Sequence, residues 1–257
     1  MDQAEYIKMY EAEDRMWWYH GVHANVAALL AGAGAGGAVL DAGCGTGGLL
    51  AKLQRLLPRL GPSMGLDYDP IAAAFARRKS GAPICVATVN RLPFRDGAFG
   101  VVLSVDVLAH DGVDEAQALR EAHRCLVPGG ALLVNLPAYQ WLRGAHDERV
   151  HQHRRYTRPR VIALLRAAGF ERVRATYWNT VLFPLMVLRR KVFPPRDAAS
   201  DVMIYPRPVE RLFRAFVALE NWWLRLGFAL PFGGSVMAVA VKSAQGTAAT
   251  QGVSHHG

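Results

Sequence analysis

The sequence predicts an α/β domain, a parallel sheet wrapped by helices. Two observations predict it. Short β-branched or apolar runs alternate with longer segments of helical periodicity, and a glycine-rich turn stands where the first run meets the first helix. Seven runs read as strands: 38–41, 63–67, 82–88, 100–105, 131–136, 171–178 and 235–242. Between them, 48–57, 70–79, 114–126 and 158–168 place apolar residues at helical spacing and end at Gly or Pro, which stop a helix.

Two segments decorate this core of 38–180. The first, 1–37, reads as one or two helices with Trp17, Trp18 and Tyr19 in a row, followed by an Ala/Gly linker at 31–37, and predicts an N-terminal helical cap. The second, 181–231, is punctuated by proline and rich in Arg, Phe and Leu. An insertion of that length folds on its own rather than dangling, so it predicts a helical lid before the last core strand at 232–242. The tail, 243–257, is small and polar, a composition expected to be disordered.

Of the 257 residues, 51% are apolar, enough for a sizeable core. The formal charge of +9 suits anionic small molecules, phospholipid surfaces or nucleic acid. Cys44, Cys85 and Cys125 form no CxxC pair and no even-numbered framework, which argues against a disulfide-built or zinc-built fold and for a reducing, cytoplasmic setting. The first residues lack the basic-then-apolar layout of a secretion signal. The apolar stretches 181–192 and 219–232 are interrupted by Pro184, Arg189, Arg190 and Arg225 and fall short of the ~20 residues of a spanning helix. They could rest on a membrane but not cross it.

The chemistry begins at Asp41-Ala-Gly43-Cys44-Gly45-Thr-Gly47-Gly48. Glycines are needed where a ligand lies against bare backbone or where φ is positive. Gly43, Gly45 and Gly48 also satisfy GxGxxG for a dinucleotide. Asp41, two residues before the first glycine, separates the two readings: it repels a pyrophosphate and welcomes an ammonium. Asp67 closes the second strand, where a carboxylate can accept both hydroxyls of a ribose.

Further pieces follow in order: Gly65-Leu-Asp67-Tyr68-Asp-Pro70; Leu92-Pro-Phe94 with Asp96, Gly97 and Phe99; Val101 to Val105 with Asp106-Val-Leu108 and His110; and Leu126-Val-Pro-Gly-Gly130. With the glycine turn, the set resembles the class I S-adenosylmethionine-dependent methyltransferases, in the bacterial branch labelled methyltransferase type 11. The resemblance implies a Rossmann-like seven-stranded sheet, mostly parallel with an antiparallel last strand and helices on both faces. It also implies S-adenosylmethionine as cofactor, leaving as S-adenosylhomocysteine, across the carboxyl ends of the first four strands. Asp41, Gly43, Cys44, Gly45 and Gly47 are then expected around the methionine part, Asp67 and Tyr68 at the ribose, and Thr88 and Val89 at the adenine, with Ser104 completing the set. Many relatives carry Asp where Thr88 stands; a hydroxyl makes a weaker neutral hydrogen bond there, leaving the Val89 backbone as donor. The 135–139 run is similar to the NPPY motif of amino-methylating enzymes but follows the fifth strand, and is read as coincidence.

The densest polar stretch, 141–156, follows the fifth strand on the side where open α/β sheets bind ligands. Methyl transfer is an in-line displacement in which the acceptor must be aligned and often deprotonated. His146 beside Asp147 offers a base and its orienter, His151 and His153 are alternate bases, and Arg155 and Tyr156 join them as candidate catalytic groups. Trp18, Tyr19, Tyr139 and Arg154 are the expected acceptor-binding residues. A plainer reading stays open, in which His146 and Asp147 cap the following helix and the arginines form a solvated face or pack their stems on the sheet. No metal is expected. The sequence therefore predicts a methyltransferase acting on a small-molecule acceptor, anionic or partly apolar, with oxygen favoured as the nucleophile. Its rivals are N-methylation, an RNA methyltransferase, and an inactive cofactor-binding partner protein. Nucleic acid is not expected as a partner, and peripheral membrane contact is not the favoured reading.

Overall fold

The computed structural model describes residues 3–192 and 202–244. Positions 193–201 of the expected lid and nearly all of the expected tail lie outside those residues. Seven strands form one sheet: β1 (Gly37–Ala42), β2 (Leu60–Asp67), β3 (Ile84–Val86), β4 (Phe99–Val105), β5 (Leu126–Pro137), β6 (Phe170–Trp178) and β7 (Ser235–Lys242). Their order is β3-β2-β1-β4-β5-β7-β6. β1 to β5 pair in parallel, and β7 runs antiparallel to both β5 and β6. The order reverses between β1 and β4, which opens a crevice at the carboxyl ends of those strands.

Strand periodicity builds two cores. Along β4, Val101 and Leu103 face one side of the sheet and join Val26 and Leu30 of α2 (Trp17–Gly32) and Leu53 of α3 (Leu50–Leu56). Val102 faces the other side, with Ala118 and Leu119 of α5 (Glu115–Cys125) and Val161 and Leu165 of α7 (Arg158–Ala167). The same alternation corrects one sequence expectation. Ser104 shares the Val102 face and lines a small cleft against Leu108, Ala118 and Leu119, so its side chain does not reach the ligand crevice.

Local signals set most element ends. α4 (Pro70–Ser80) has proline in its first turn, Asp69 Oδ1 accepting from Ile71 N at 2.8 Å, and a left-handed Gly81 beyond its end. Asp114 caps α5 by accepting from Gln117 N at 2.9 Å. β3 is shorter than its apolar run because it is an edge strand held on one side only. β5 is longer than its run: Leu126 already pairs with Phe99, across an irregularity that contains Pro128, Gly129 and Gly130.

α1 (Gln3–Ala12) and α2 precede the sheet, and α8 (Phe183–Val187), a π-helical turn at Leu188–Val192 and α9 (Arg207–Arg225) lie between β6 and β7. Asn221 of α9 donates to Asn25 Oδ1 of α2 at 2.9 Å, and Trp17 N at the start of α2 donates to Glu210 at 2.7 Å. Trp178, fully buried, lies beneath with its ring 5.8 Å from that of Trp18. Among the described residues no helix is long and apolar enough to cross a membrane.

Candidate active site

β1 delivers its chain into the turn at 43–47, where Gly43, Gly45 and Gly47 all have positive φ, the left-handed region that favours glycine. Gly43 N and Cys44 N donate to Leu66 O at 2.7 and 2.9 Å, tying the turn to β2. A Cβ on Gly43 would stand 2.2 Å from Val107 Cγ2, so β4's exit loop presses on the bare backbone. Gly45 N donates to Asp67 Oδ2 at 2.9 Å, while Asp69 N donates to Oδ1 at 3.0 Å. Asp67 thus stands oriented by backbone donors, with acceptor capacity remaining for a diol.

Gly47 corrects a second expectation. It does not line the crevice; a Cβ there would lie 2.7 Å from Ala76 Cα, so this glycine lets α4 approach the turn. Gly47→Ala is therefore expected to cost about 2–4 kcal/mol of stability through strain and overpacking, with cofactor affinity kept in the folded fraction; thermal melts with S-adenosylhomocysteine titration check it.

Asp41 is 2% exposed. Burial, reinforced by Asp67 and Glu13, pushes its carboxyl from the ordinary 3.8 up to about 7. Among the described residues no hydrogen-bond donor reaches it. A buried carboxylate without a donor is costly, and a cationic ligand would relieve that cost.

These groups open onto a cavity of about 790 Å³. Asp41, Gly43, Cys44, Gly45, Asp67, Tyr68, Thr88 and Val89 lie on its wall, as do Trp18 and Tyr19 of α2 and His146, His151 and Arg155 from the polar stretch. Donor-free Asp41, bare Gly43 and Gly45 and oriented Asp67 suit the ammonium, chain and ribose of S-adenosylmethionine. Thr88 Oγ1 accepts from Asn90 N at 3.2 Å, so its hydroxyl is partly engaged.

Five residues of the expected catalytic and acceptor-binding set point elsewhere. Asp147 is 1% exposed, off the cavity wall: Oδ1 accepts from Arg155 Nη2 at 2.7 Å, and Oδ2 from Gly144 N at 2.9 Å and Arg190 Nη1 at 3.4 Å. It caps α6 (Ala145–Arg149) and holds two arginines, so it cannot serve as orienter of His146 in this arrangement. His153 pairs with Asp111 at 2.7 Å on the surface. Arg154 donates to the carbonyls of His110 and Val113, both at 2.7 Å, and clamps that loop. Tyr156 is fully buried in the core, its hydroxyl donating to Leu108 O at 2.9 Å. Tyr139 stacks on Tyr177 and Trp141, away from the cavity. For His153, Arg154 and Tyr156 the reason is shared: 152–156 runs as an extended strip, bridged at Gln152 to His110 and at Tyr156 to Ala138, so its side chains leave on different sides.

The cavity also gathers Asp106, His110 and Glu13, which the sequence reading did not single out as site groups, together with His23 of the aromatic N-terminal segment. Asp106 leaves β4 in the left-handed region at φ 59°. Asn135 Nδ2 donates to its Oδ1 at 3.0 Å, and Asn135 Oδ1 accepts from Trp178 Nε1 at 2.7 Å. Burial pushes Asp106 up to about 7 against the pull of Asn135 and Arg155. Burial pushes His110 down to about 4 and His23 down to about 3. Glu13 of the segment after α1 is buried against Lys79 at 2.7 Å; its desolvation raises its carboxyl despite that cation. Asp106 and His110 were visible only as motif pieces after a strand; nothing local marked Glu13. Among the described residues no group of three His, Cys, Asp or Glu side chains is placed to hold a metal ion.

Residues 40–134 match the family model described as a methyltransferase domain, a span that contains the turn, Asp67, Thr88, Val89 and Asp106. Over that span the chain is similar to the class I S-adenosylmethionine-dependent methyltransferases. S-adenosylmethionine is the cofactor of that family. The chain is 33% identical over 166 residues to a Mycolicibacterium smegmatis protein named "Probable S-adenosylmethionine-dependent methyltransferase", covering 62% of this chain and 61% of that one. A Streptomyces fradiae transposon protein is 28% identical over 219 residues, 81% of this chain and 63% of that protein. The chain thus spans a little over three fifths of these relatives' lengths. Among solved structures, a chain of the Haloferax volcanii complex between the Trm112 methyltransferase activator and a methyltransferase superposes with a TM-score of 0.61. It is 21% identical and covers 94% of this chain and 95% of that one. The Haemonchus contortus phosphoethanolamine N-methyltransferase 2, solved with S-adenosylmethionine, gives 0.55 at 17% identity, over 85% of this chain and 52% of that one. Both share the fold.

Proposed function

We propose that this chain transfers a methyl group from S-adenosylmethionine to an oxygen of a small acceptor with an apolar body and an anionic group. One observation carries the reading: a single cavity joins the donor-free carboxylate of Asp41 and the bare glycine turn to a wall of titratable and aromatic side chains. When bound, the cofactor supplies an electrophilic methyl carbon on a positively charged sulfur.

The residues divide the remaining work. Asp41 accepts from the ammonium, Asp67 from the ribose, and the Val89 backbone meets the adenine. Trp18 and Tyr19 cover the reaction centre and exclude water. Arg189 and Arg190 put positive charge on the wall contributed by the insertion, suited to an anionic acceptor, and Leu182, Leu185 and Met186 supply apolar surface beside them. The acceptor's proton goes to a base on the wall. His146 and His151 are the candidates from the polar stretch. Asp106 joins them as a half-buried carboxyl, raised by desolvation to about 7, where it can gain or lose a proton at neutral pH.

Nitrogen as the nucleophile is the second reading, and Asp106 is what favours it: a carboxylate on the cavity wall can hold a cationic amine before and after transfer. Transfer of labelled methyl to panels of hydroxy acids, phenols and amines, with RNA as a further arm, separates these readings. Asp106→Asn is expected to lower kcat by roughly 10²–10⁴-fold with S-adenosylhomocysteine affinity within about threefold of wild type. If His146→Ala and His151→Ala both keep normal turnover with intact cofactor binding, the histidines hold no proton-transfer role.

A further inference from the structure

α9 is built the reverse way from a helix that faces water. A helix on a protein surface turns apolar residues inward and charges outward. α9 instead buries Glu210, Glu220 and Asn221 together with Val217 and Leu224. Each polar group is satisfied: Glu210 accepts from Trp17 N at 2.7 Å and Tyr205 N at 3.0 Å, Glu220 from Asn179 N at 2.7 Å and Val181 N at 2.8 Å, and Asn221 pairs with Asn25. The outward face carries Leu212, Leu219, Trp222, Trp223 and Leu226, which are 42% to 57% exposed.

The apolar face continues past the helix. Phe228 is 53% exposed with its ring 4.8 Å from that of Trp223, and Phe232 is 42% exposed. Charge on the outer side of α9 has one sign. Arg207, Arg211 and Arg225 are exposed and fall along one edge of the stripe at helical spacing, while both carboxylates of the helix point inward.

We propose that α9 and the 226–232 turn form a docking surface for an anionic lipid bilayer, with the helix lying in the headgroup plane. An exposed stripe of Leu, Trp and Phe flanked by arginine is the composition that partitions into that interface, where indole rings favour the boundary and guanidinium groups meet phosphate. A second copy of this chain complements the stripe less well. An isologous contact would bring the same arginine edge against itself with no carboxylate on the outer face to offset it. The arrangement lies outside the cavity and does not depend on which acceptor is methylated.

The test uses the full chain with sucrose-loaded vesicles of phosphatidylcholine alone and of phosphatidylcholine mixed equally with phosphatidylglycerol. Wild type is expected to sediment with the mixed vesicles, to shift its tryptophan emission to the blue, and to release as salt is raised. Trp222→Ser with Trp223→Ser is expected to reduce the vesicle-bound fraction roughly tenfold or more by removing interfacial burial. Arg211→Gln with Arg225→Gln is expected to abolish the preference for the anionic vesicles. Circular dichroism melts confirm that both variants fold; a Leu219→Ser variant replaces the tryptophan pair if that pair does not. The proposal is overturned if wild type stays in the supernatant with both vesicles, if the folded variants sediment like wild type, or if the chain is a dimer in solution that these same substitutions dissociate.

Discussion

Asp41→Asn is expected to raise the stability of the ligand-free protein while lowering its affinity for S-adenosylhomocysteine. The folded state holds the Asp41 proton up to about pH 7, whereas an ordinary aspartate releases it near 3.8. Between those values the folded state binds more protons, so the contribution of this residue to stability falls as pH rises and its full cost is present above about 7. Asparagine carries no such cost. His23 and His110 act in the opposite sense: folded, they stay neutral down to about 3 and 4, so their contribution rises with pH until the unfolded histidines lose their protons near 6.5. The raw pH profile therefore mixes signs, and the difference between variant and wild type isolates Asp41.

Affinity moves the other way. Removing one partner of a buried charge pair costs about 2–5 kcal/mol, or roughly 30-fold to several-thousand-fold in Kd. In wild type, affinity should also strengthen from pH 6 to 8 as the carboxylate ionises, and in Asp41→Asn this dependence should disappear. Calorimetric titration at several pH values, together with melts of the free protein, reads both effects. Unchanged affinity in the variant would remove the ammonium contact on which the functional reading rests.

Asp147→Ala is expected to damage the fold far more than the chemistry. The carboxylate is buried against two arginines, Arg155 and Arg190, and the backbone of Gly144. Its removal takes from the buried Arg155 guanidinium the carboxylate it bonds at 2.7 Å, leaving it the Ala138 carbonyl, a loss of about 3–5 kcal/mol. For a chain of this size that corresponds to a fall in Tm of roughly 6–20 °C. Cofactor affinity in the folded fraction should persist, because Asp147 does not reach the cavity. If the melting temperature held and turnover vanished instead, the sequence expectation of a catalytic Asp147 would be restored.

Asp147 also shows where reading a sequence meets its physical limit. Its neighbour His146 suggests a pair, yet its strongest partner is Arg155 and another is Arg190, 43 residues away. Its contact with Gly144 is a capping contact, but one made from inside α6 back to its own start rather than onto a following helix. Likewise, a run such as 151–156 tells which residues are near one another but not which side each leaves on. His151 reaches the cavity, His153 the surface and Tyr156 the core.

The sequence by itself determined the features written in local patterns. Alternating runs and helical spacings specify the sheet and its wrapping, and the glycine turn after Asp41 specifies where the chain opens a crevice, because each depends on residues within a few positions. Only the tertiary structure decided which polar groups share that crevice. Glu13, Asp41, Asp106 and His151 come from four separate stretches, and the raised carboxyls of the first three depend on desolvation that no single stretch possesses. The same holds for α9, whose pattern shows two unlike faces but not that the carboxylates turn inward and the tryptophans outward. That orientation follows from partners in α2 and the loop after β6, which supply the donors that two buried carboxylates require.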